Sequence, residues 1–525
     1  MKFLFFISVF TISTFSFSQA KPKAPLNWYL KDPKKDKVYG VGAERAYSLL
    51  EGKKANEVIV AVIDSGVETD HPDLKDVIWV NKNEIPNNGI DDDKNGYVDD
   101  IHGWSFLGGT GGDIEDEATE LVRMYRFERR YFDDLKDEDE LNTTDKDRYQ
   151  KFLKLEKDFE KSKKETEGQY AQISVLSNYM DNVKKEFKGE FSKKTNKAYV
   201  PKNDMEKRIQ RRLKTILLVY SAEEFDSQIS GAAKSLSGQI RMNSLDADSL
   251  RRIIVGDNPY DMSERFYGCN RYEGPDAMHG THVSGIIAAK RGNGIGIDGI
   301  ASNAKIMVLR AVPNGDERDK DIANAIRYAA DNGAKVINMS FGKYYTPNKE
   351  VVDEAIRYAA SKDVLLVHAA GNDAKDKDIE DSYPTRILSD ASIAKNWLEI
   401  GASSSKSGSK LLADFSNYGA KTVDVFAPGV DIYSTVPDAK YEDASGTSMA
   451  CPATAGVAAL IRSYFPELSA EEVASVMMKT AEPYSKTIKI PGKSKKDSKG
   501  KMNQVCITGS FVNAANAVEY LIQKK

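Results

Sequence analysis

From about Val58 onward the chain alternates short, almost unbroken apolar runs with longer stretches whose apolar residues recur at helical spacing. The runs are "VIVAVID" at 58–64, "KIMVLRAV" at 305–312, "KVINMSFG" at 335–342, "VLLVHAAGN" at 364–372 and "LEIGAS" at 398–403. A strand that is apolar on both sides of its pleat must be covered on both faces, which is the condition of a parallel sheet inside an α/β domain. Between these runs, "DIANAIRYAADNG" and "VVDEAIRYAASKD" read as amphipathic helices, the first stopped by Gly333. The pattern predicts an α/β fold, a mainly parallel sheet with helices on both faces. In such sheets functional groups gather at the C-terminal ends of strands, where Asp64, Ser340 and Asn372 fall.

One segment breaks the alternation. Between about Gly112 and Ile254 the chain turns rich in Lys, Glu and Asp, and no proline occurs between Pro86 and Pro201. Long helices are expected there. In "YAQISVLSNYMDNVKKEF" the residues Tyr170, Ile173, Tyr179, Met180, Val183 and Phe187 recur at spacings that set most of them on one face. That stripe needs a covering, either from helices folded back within the segment, from the main domain, or from a partner. The expected organisation is therefore a main domain of residues 21–111 and 255–525, divided by a charged α-helical insertion at 112–254.

Composition narrows the function. A net charge of −4 provides no basic field for phosphates, so nucleic acid is not an expected partner. "MKFLFFISVFTISTFSFSQA" has a lysine, an apolar run and small residues at its end, the pattern of a secretory signal over residues 1–20. The run is shorter than the roughly 20 residues a spanning helix needs, so export to a periplasm or the medium is expected, without a stable membrane anchor. The lysine-rich "KSKKDSKGK" at 493–501 reads as a solvated loop. Three cysteines, Cys269, Cys451 and Cys506, are too few for a disulfide framework.

Five histidines occur, and two stand together in "MHGTHVSGIIAA". The spacing predicts a buried helix beginning near Thr281, with His279 just outside it and His282 as a core histidine. The zinc-protease pattern needs a glutamate beside the first histidine, and none is there. An imidazole works as a general base when a carboxylate orients it and supports its charge. Asp64, at the end of a buried strand, is the candidate, although an Asp in that place also serves as a turn cap. Ser448 begins the apolar helix "MACPATAGVAALIRSYF". The position suits a helix cap and equally a nucleophile, because the free N–H groups of a helix start stabilise negative charge on an attacked carbonyl. Asn372 in "HAAGND" could supply a further donor.

These motifs, "AVIDSGV", "HGTHVSG", "AAGN" and "GTSMACP", resemble those of the subtilisin-like serine proteases, the subtilase family, and stand in that family's order of Asp, His and Ser. The resemblance covers about 58–103 and 256–521. It implies an endopeptidase in which Ser448 attacks the peptide carbonyl, His279 moves the proton, Asp64 orients the imidazole and Asn372 holds the oxyanion. It also implies that Ser340, Phe341 and Gly342 of "MSFG", with Gly371, line the bound peptide, and that "FSNYG" and "DVFAPGVDIYST" support the site. A peptide or protein is the implied substrate, and the chemistry calls for no cofactor.

The aspartate and histidine motifs lie 215 positions apart, because the insertion falls between them. It is expected to overhang the cleft and restrict substrates, or to engage a partner. About 40 residues separate the signal from the first strand, too few for the N-terminal pro-domain of many relatives. In "NGIDDDKNGYVDD", Asp91, Asp93, Asn95, the Tyr97 carbonyl and Asp99 follow the first half of an EF-hand-like loop, with His102 where the bidentate glutamate would stand. A structural calcium or a metal-free acidic turn fits that pattern. The alternatives to an endopeptidase are an inactive scaffold that binds through its insertion, and a non-protease acyl hydrolase.

Overall fold

The computed structural model describes residues 25–133, 141–218, 221–494 and 498–524; the expected signal segment and the middle of the lysine-rich stretch lie outside them. Two compact units emerge, Asp116–Ala247 on one side and Ala24–Glu115 with Asp248–Lys525 on the other. The boundary falls a few residues inside the expected insertion of 112–254. Gly112–Asp113 pairs with Gly108–Gly109, and Arg251 is buried against Asp257 and Asp321, so both flanks belong to the larger unit.

The main sheet of the larger unit has nine strands among the described residues: β1 Val58–Asp64, β2 Gly103–Ser105, β3 Ala304–Arg310, β4 Val336–Met339, β5 Leu365–Ala369, β6 Trp397–Ser403, β7 Val425–Pro428, β8 Glu482–Pro483 and β9 Ser510–Phe511. They lie in the order β8-β9-β7-β6-β5-β4-β1-β3-β2, parallel throughout except for β8 against β9. β1 sits between β3 and β4. The chain therefore crosses over β1 after β3 and then winds outward through β4, β5, β6 and β7, and this reversal opens a crevice at the C-terminal ends of β1 and β4.

Side-chain parity decides which helices meet which residues. Val58, Val60 and Val62 pack with Val283, Ile286, Val457 and Leu460, under the helices Met278–Ala288 and Thr447–Tyr464. Ala61 and Ile63 face the opposite core, with Ile322, Ile326 and Ile356 from Asp319–Asp331 and Lys349–Ser361. Asp64 shares its parity with Val60 and Val62, so it emerges on the face of the histidine and serine helices. By the same count Asn338 and Ser340 belong to that face, while Met339, His368 and Glu399 belong to the other.

The expected strands at 335–342 and 364–372 end earlier, at Met339 and Ala369. Their last residues leave the ladder to become cleft walls, so apolar content alone overran them.

The insertion unit has its own core. Its longest helix runs 44 residues, Thr143–Glu186, with the Asn142 side chain accepting from Asp145 N–H at its start. Ile173, Tyr179, Met180 and Val183 are buried against Tyr199, Ile209, Leu213, Phe225 and Ile229, while Tyr125 stacks on Phe159 nearer the N-terminal end. The predicted stripe is thus covered by helices folded back within the segment.

Candidate functional site

Asp64 ends β1 and is almost wholly buried; its Oδ1 accepts the Ser65 N–H at 2.8 Å and lies 2.7 Å from Nδ1 of His279. The contact requires the histidine helix to approach the end of β1 closely. A side chain at Gly280 would put a carbon 2.1 Å from the Gly66 carbonyl oxygen, so only glycine permits that approach. Gly66 itself, at φ 127°, lies against the Glu273 carbonyl. Arg310, the register partner of Asp64 on β3, is buried and donates from Nε to the Ser65 carbonyl, fixing the turn that follows the aspartate.

The helix carrying His279 spans Met278–Ala288, starting three residues before the expected Thr281. The Asp276 carboxylate accepts the Met278 N–H, which gives the helix an earlier start and places His279 in its first turn rather than outside it. Burial of the imidazole lowers its pKa, but the charge and hydrogen bond of Asp64, with a contribution from Asp276, outweigh that effect and leave it raised above 6.5. His282 is wholly buried, its Nε2 shared between the carbonyls of Ile432 and Glu442, and burial pushes it down to about 4. The two histidines serve different partners and do not form a metal pair.

Ser448 is the second residue of the helix Thr447–Tyr464, and the cap position is Gly446, which brings no side chain. Ser448 is therefore not the cap. Its Oγ donates to the Ser340 carbonyl at 3.1 Å, and the Ser340 hydroxyl donates to the Ser448 carbonyl at 3.1 Å, which ties the serine helix to the end of β4. Asn338 holds the Ser340 hydroxyl from below.

Asn372 is placed by Thr447, whose N–H and hydroxyl both donate to Oδ1, at 2.8 and 3.0 Å. A carbon built on Gly446 would stand 3.5 Å from both Asn372 Nδ2 and the Ser448 nitrogen, so these two donors border one space. Two such donors are what a developing oxyanion requires. Gly371, at φ 103°, is backed by Asn417 of "FSNYG", which donates to the Ala370 carbonyl and accepts from the N–H groups of Asp373 and Lys375. Phe341 and Gly342 follow Ser340 along the cleft wall, and among the described residues neither forms a backbone–backbone hydrogen bond.

Arg310 and Thr447 were not singled out from the sequence. An arginine closing an otherwise apolar strand, and a threonine before the helix serine, were the available signals.

The acidic loop is arranged differently from the expected ligand set. Asp91 accepts the N–H groups of Asn95 and Gly96, Asn95 accepts from Tyr97 N–H, and Asp99 accepts from Asn88 and Gly89, so these side chains shape the turn. The Tyr97 ring packs against Trp104 and Tyr328. Of the three expected carboxylate ligands, Asp93 alone joins a potential metal cluster among the described residues, together with Glu84 and Asp100, their oxygens within 4.8 Å of one another. Asn81 and Asn95 donate to both Asp93 and Asp100, and Tyr328 donates to Asp100.

The chain matches the family described as the subtilase family over residues 55–505. It is 44% identical over 187 residues to a thermophilic serine proteinase of Bacillus sp. (strain AK1), covering 35% of this chain and 42% of that protein. It is 37% identical over 239 residues to the cell wall-associated protease of Bacillus subtilis (strain 168), covering 45% of this chain and 25% of the relative. With thermitase of Thermoactinomyces vulgaris the identity is 38% over 243 residues, 46% of this chain and 75% of the relative. The aligned stretch is thus under half of the first two relatives and three quarters of the third. A match over residues 55–505, spanning both sides of the insertion, shows that the chain belongs to the subtilase family.

Proposed function

We propose that the protein is an exported serine endopeptidase. The observation that carries this reading is the 2.7 Å contact between His279 Nδ1 and Asp64 Oδ1, which leaves Nε2 as the working nitrogen of the imidazole. The Ser448 hydroxyl turns from the Ser340 carbonyl, passes its proton to His279 Nε2, and its oxygen bonds to the substrate carbonyl carbon. The negative charge on the carbonyl oxygen is received by the Ser448 N–H and Asn372 Nδ2. As the C–N bond breaks, His279 returns the proton to the leaving amine. Water then repeats the sequence on the acyl-enzyme, releasing the acid and restoring Ser448.

The unpaired backbone of Phe341 and Gly342, which continues from Ser340, suits an extended peptide, which would pair with it as an added strand and pass Gly371 on the opposite wall. A calcium ion held by Glu84, Asp93 and Asp100 would suit the all-oxygen donor set. It would stiffen the loop before β2 and take no part in the chemistry.

The test is labelling of the purified protein with a fluorophosphonate, intact and as Ser448→Ala, with mass spectrometry of the modified peptide. Label on Ser448 that vanishes in the variant, together with cleavage of an unfolded protein, is the expected result. Absence of label on folded protein would overturn the reading in favour of a non-catalytic scaffold. Label without peptide cleavage would point to another acyl transfer.

A further inference from the structure

Beneath the wall that carries Ser340–Gly342 lies a buried polar cluster that the proposed mechanism does not use. His368 on β5 and Glu399 on β6 are register neighbours on the face opposite the serine helix, both almost wholly buried. Nδ1 of His368 lies 3.1 and 3.0 Å from the two Glu399 oxygens. Glu399 also accepts from Lys377 Nζ at 2.5 Å and from Trp397 Nε1 at 2.9 Å. Burial raises the Glu399 pKa, but Lys377 and His368 outweigh it and hold the carboxyl down at about 2. Glu399 is therefore an anion balanced by the Lys377 ammonium, and the cluster is neutral when the imidazole is neutral. In that state Nδ1 carries the proton towards Glu399, and Nε2 presents a lone pair.

That Nε2 is buried and has no hydrogen-bond partner. A buried polar atom left unpaired is costly, and the contact with Glu399 engages Nδ1 alone. Its surroundings show where it is aimed. Phe341 and Trp397 flank the imidazole, with ring centroids at 6.3 and 5.2 Å. A carbon built on Gly342 would stand 3.6 Å from Nε2 and 3.2 Å from the Tyr383 carbonyl oxygen. Gly342 is exposed, and it lies two residues from Ser340, whose carbonyl receives the Ser448 hydroxyl. The orphan nitrogen thus faces the stretch of wall along which a substrate side chain would lie next to the nucleophile.

We propose that His368 is a specificity-determining residue, its Nε2 accepting a hydrogen bond from a neutral donor on the substrate side chain just before the scissile bond, with glutamine the best fit. The inference rests on the endopeptidase reading above. Glu399 fixes the tautomer of the neutral imidazole, so a side chain ending in an amide N–H completes the missing bond at Nε2. An apolar side chain of the same length leaves Nε2 unpaired.

The experiment compares two peptide substrates that differ only before the scissile bond, one with glutamine and one with norleucine, on the intact enzyme and on His368→Leu. The intact enzyme is expected to favour glutamine in kcat/KM by about ten- to a hundredfold, the scale of one unmet buried hydrogen bond. In His368→Leu the two peptides become equal or the order reverses. Equal or better cleavage of norleucine by the intact enzyme would overturn the proposal, whether or not the variant folds. Such a result leaves the endopeptidase reading standing, whereas cleavage of neither peptide by an enzyme that also fails to take a fluorophosphonate overturns both.

Discussion

Thr447 directs both its N–H and its hydroxyl at the Oδ1 of Asn372, and this decides which end of the amide faces the cleft. With the oxygen held by two donors, Nδ2 is turned toward the space it shares with the Ser448 N–H. Asn372→Leu is expected to lower kcat by about 10²–10³ with KM little changed, since the lost bond forms only as the oxyanion develops. Thr447→Val keeps the N–H and loses the hydroxyl, so a smaller fall in kcat is expected, with fluorophosphonate labelling of Ser448 still present. A Thr447→Val enzyme with wild-type kcat would show that the N–H alone orients the amide. Steady-state kinetics on one peptide substrate checks both variants.

The raised pKa of His279 sets the acid side of the activity profile. The imidazole must be neutral to accept the Ser448 proton, so kcat/KM rises with pH through the His279 pKa, and its midpoint is expected above 6.5. Asp64→Asn removes the charge that lifts the pKa. The acid limb then moves to lower pH, while the plateau falls by roughly 10⁴ because the tautomer is no longer held. The same sign governs stability: a folded pKa above the unfolded one favours the folded state at low pH, and that contribution is lost as pH rises through the folded value. An acid limb that stayed in place in Asp64→Asn would contradict the assignment of Asp64 as the cause of the shift.

Much of this was legible because the chemistry sits where the chain's periodicity changes. The alternation of apolar runs and amphipathic helices identified the parallel sheet, and Asp64 stood out because a charge closes the run "VIVAVID". Parity along β1 even fixes the face on which it emerges. What the sequence did not disclose depends on contacts between distant segments. Nothing local to Thr447 announces that it will clamp Asn372, 75 positions away. Nothing near His368 announces that its Nδ1 will be taken by Glu399 and its Nε2 left facing Gly342. In the acidic loop the alternate spacing of Asp91, Asp93 and Asn95 suggested ligands. Their oxygens also close Asx-type turns, and the carboxylates that converge on Asp93 are Glu84 and Asp100, from outside the pattern.

The return of the chain from the insertion is anchored by Arg251, a fully buried guanidinium that bonds Asp257 through Nε and Asp321 through both terminal nitrogens. Lys320 completes the network by binding Asp257 and Glu264. Removing one partner of such a network leaves buried carboxylates unbalanced. Arg251→Ala is expected to cost about 3–5 kcal/mol, visible as a lower Tm in a thermal melt. Because Asp321 lies on the helix Asp319–Asp331 that backs β1 and β3, the loss should register in the larger unit. A melt of Arg251→Ala that coincides with the wild type would show that the network is energetically silent.

The acidic loop gives the last prediction, since its two candidate ligand sets respond differently to mutation. If calcium binds where Glu84, Asp93 and Asp100 converge, it binds the folded state alone, because the three are brought together by folded contacts: Asn81, Asn95 and Tyr328 on Asp100, and the Asp93 and Asp99 N–H groups on Glu84. A ligand selective for the folded state stabilises it by mass action, about 2.7 kcal/mol at a concentration 100 times Kd. The Tm of the intact protein should therefore rise with added calcium and fall with a chelator. Glu84→Gln should abolish the response. Asp91→Asn keeps an acceptor for one of the Asn95 and Gly96 N–H groups, which bond different Asp91 oxygens, and leaves Glu84, Asp93 and Asp100 in place, so it should retain the response. Loss of the response in Asp91→Asn with retention in Glu84→Gln would return the ion to the EF-hand-like set of Asp91, Asp93, Asn95, Tyr97 and Asp99. A Tm indifferent to calcium in the intact protein would leave the loop as a hydrogen-bonded turn, held by the amide donors of Asn81 and Asn95.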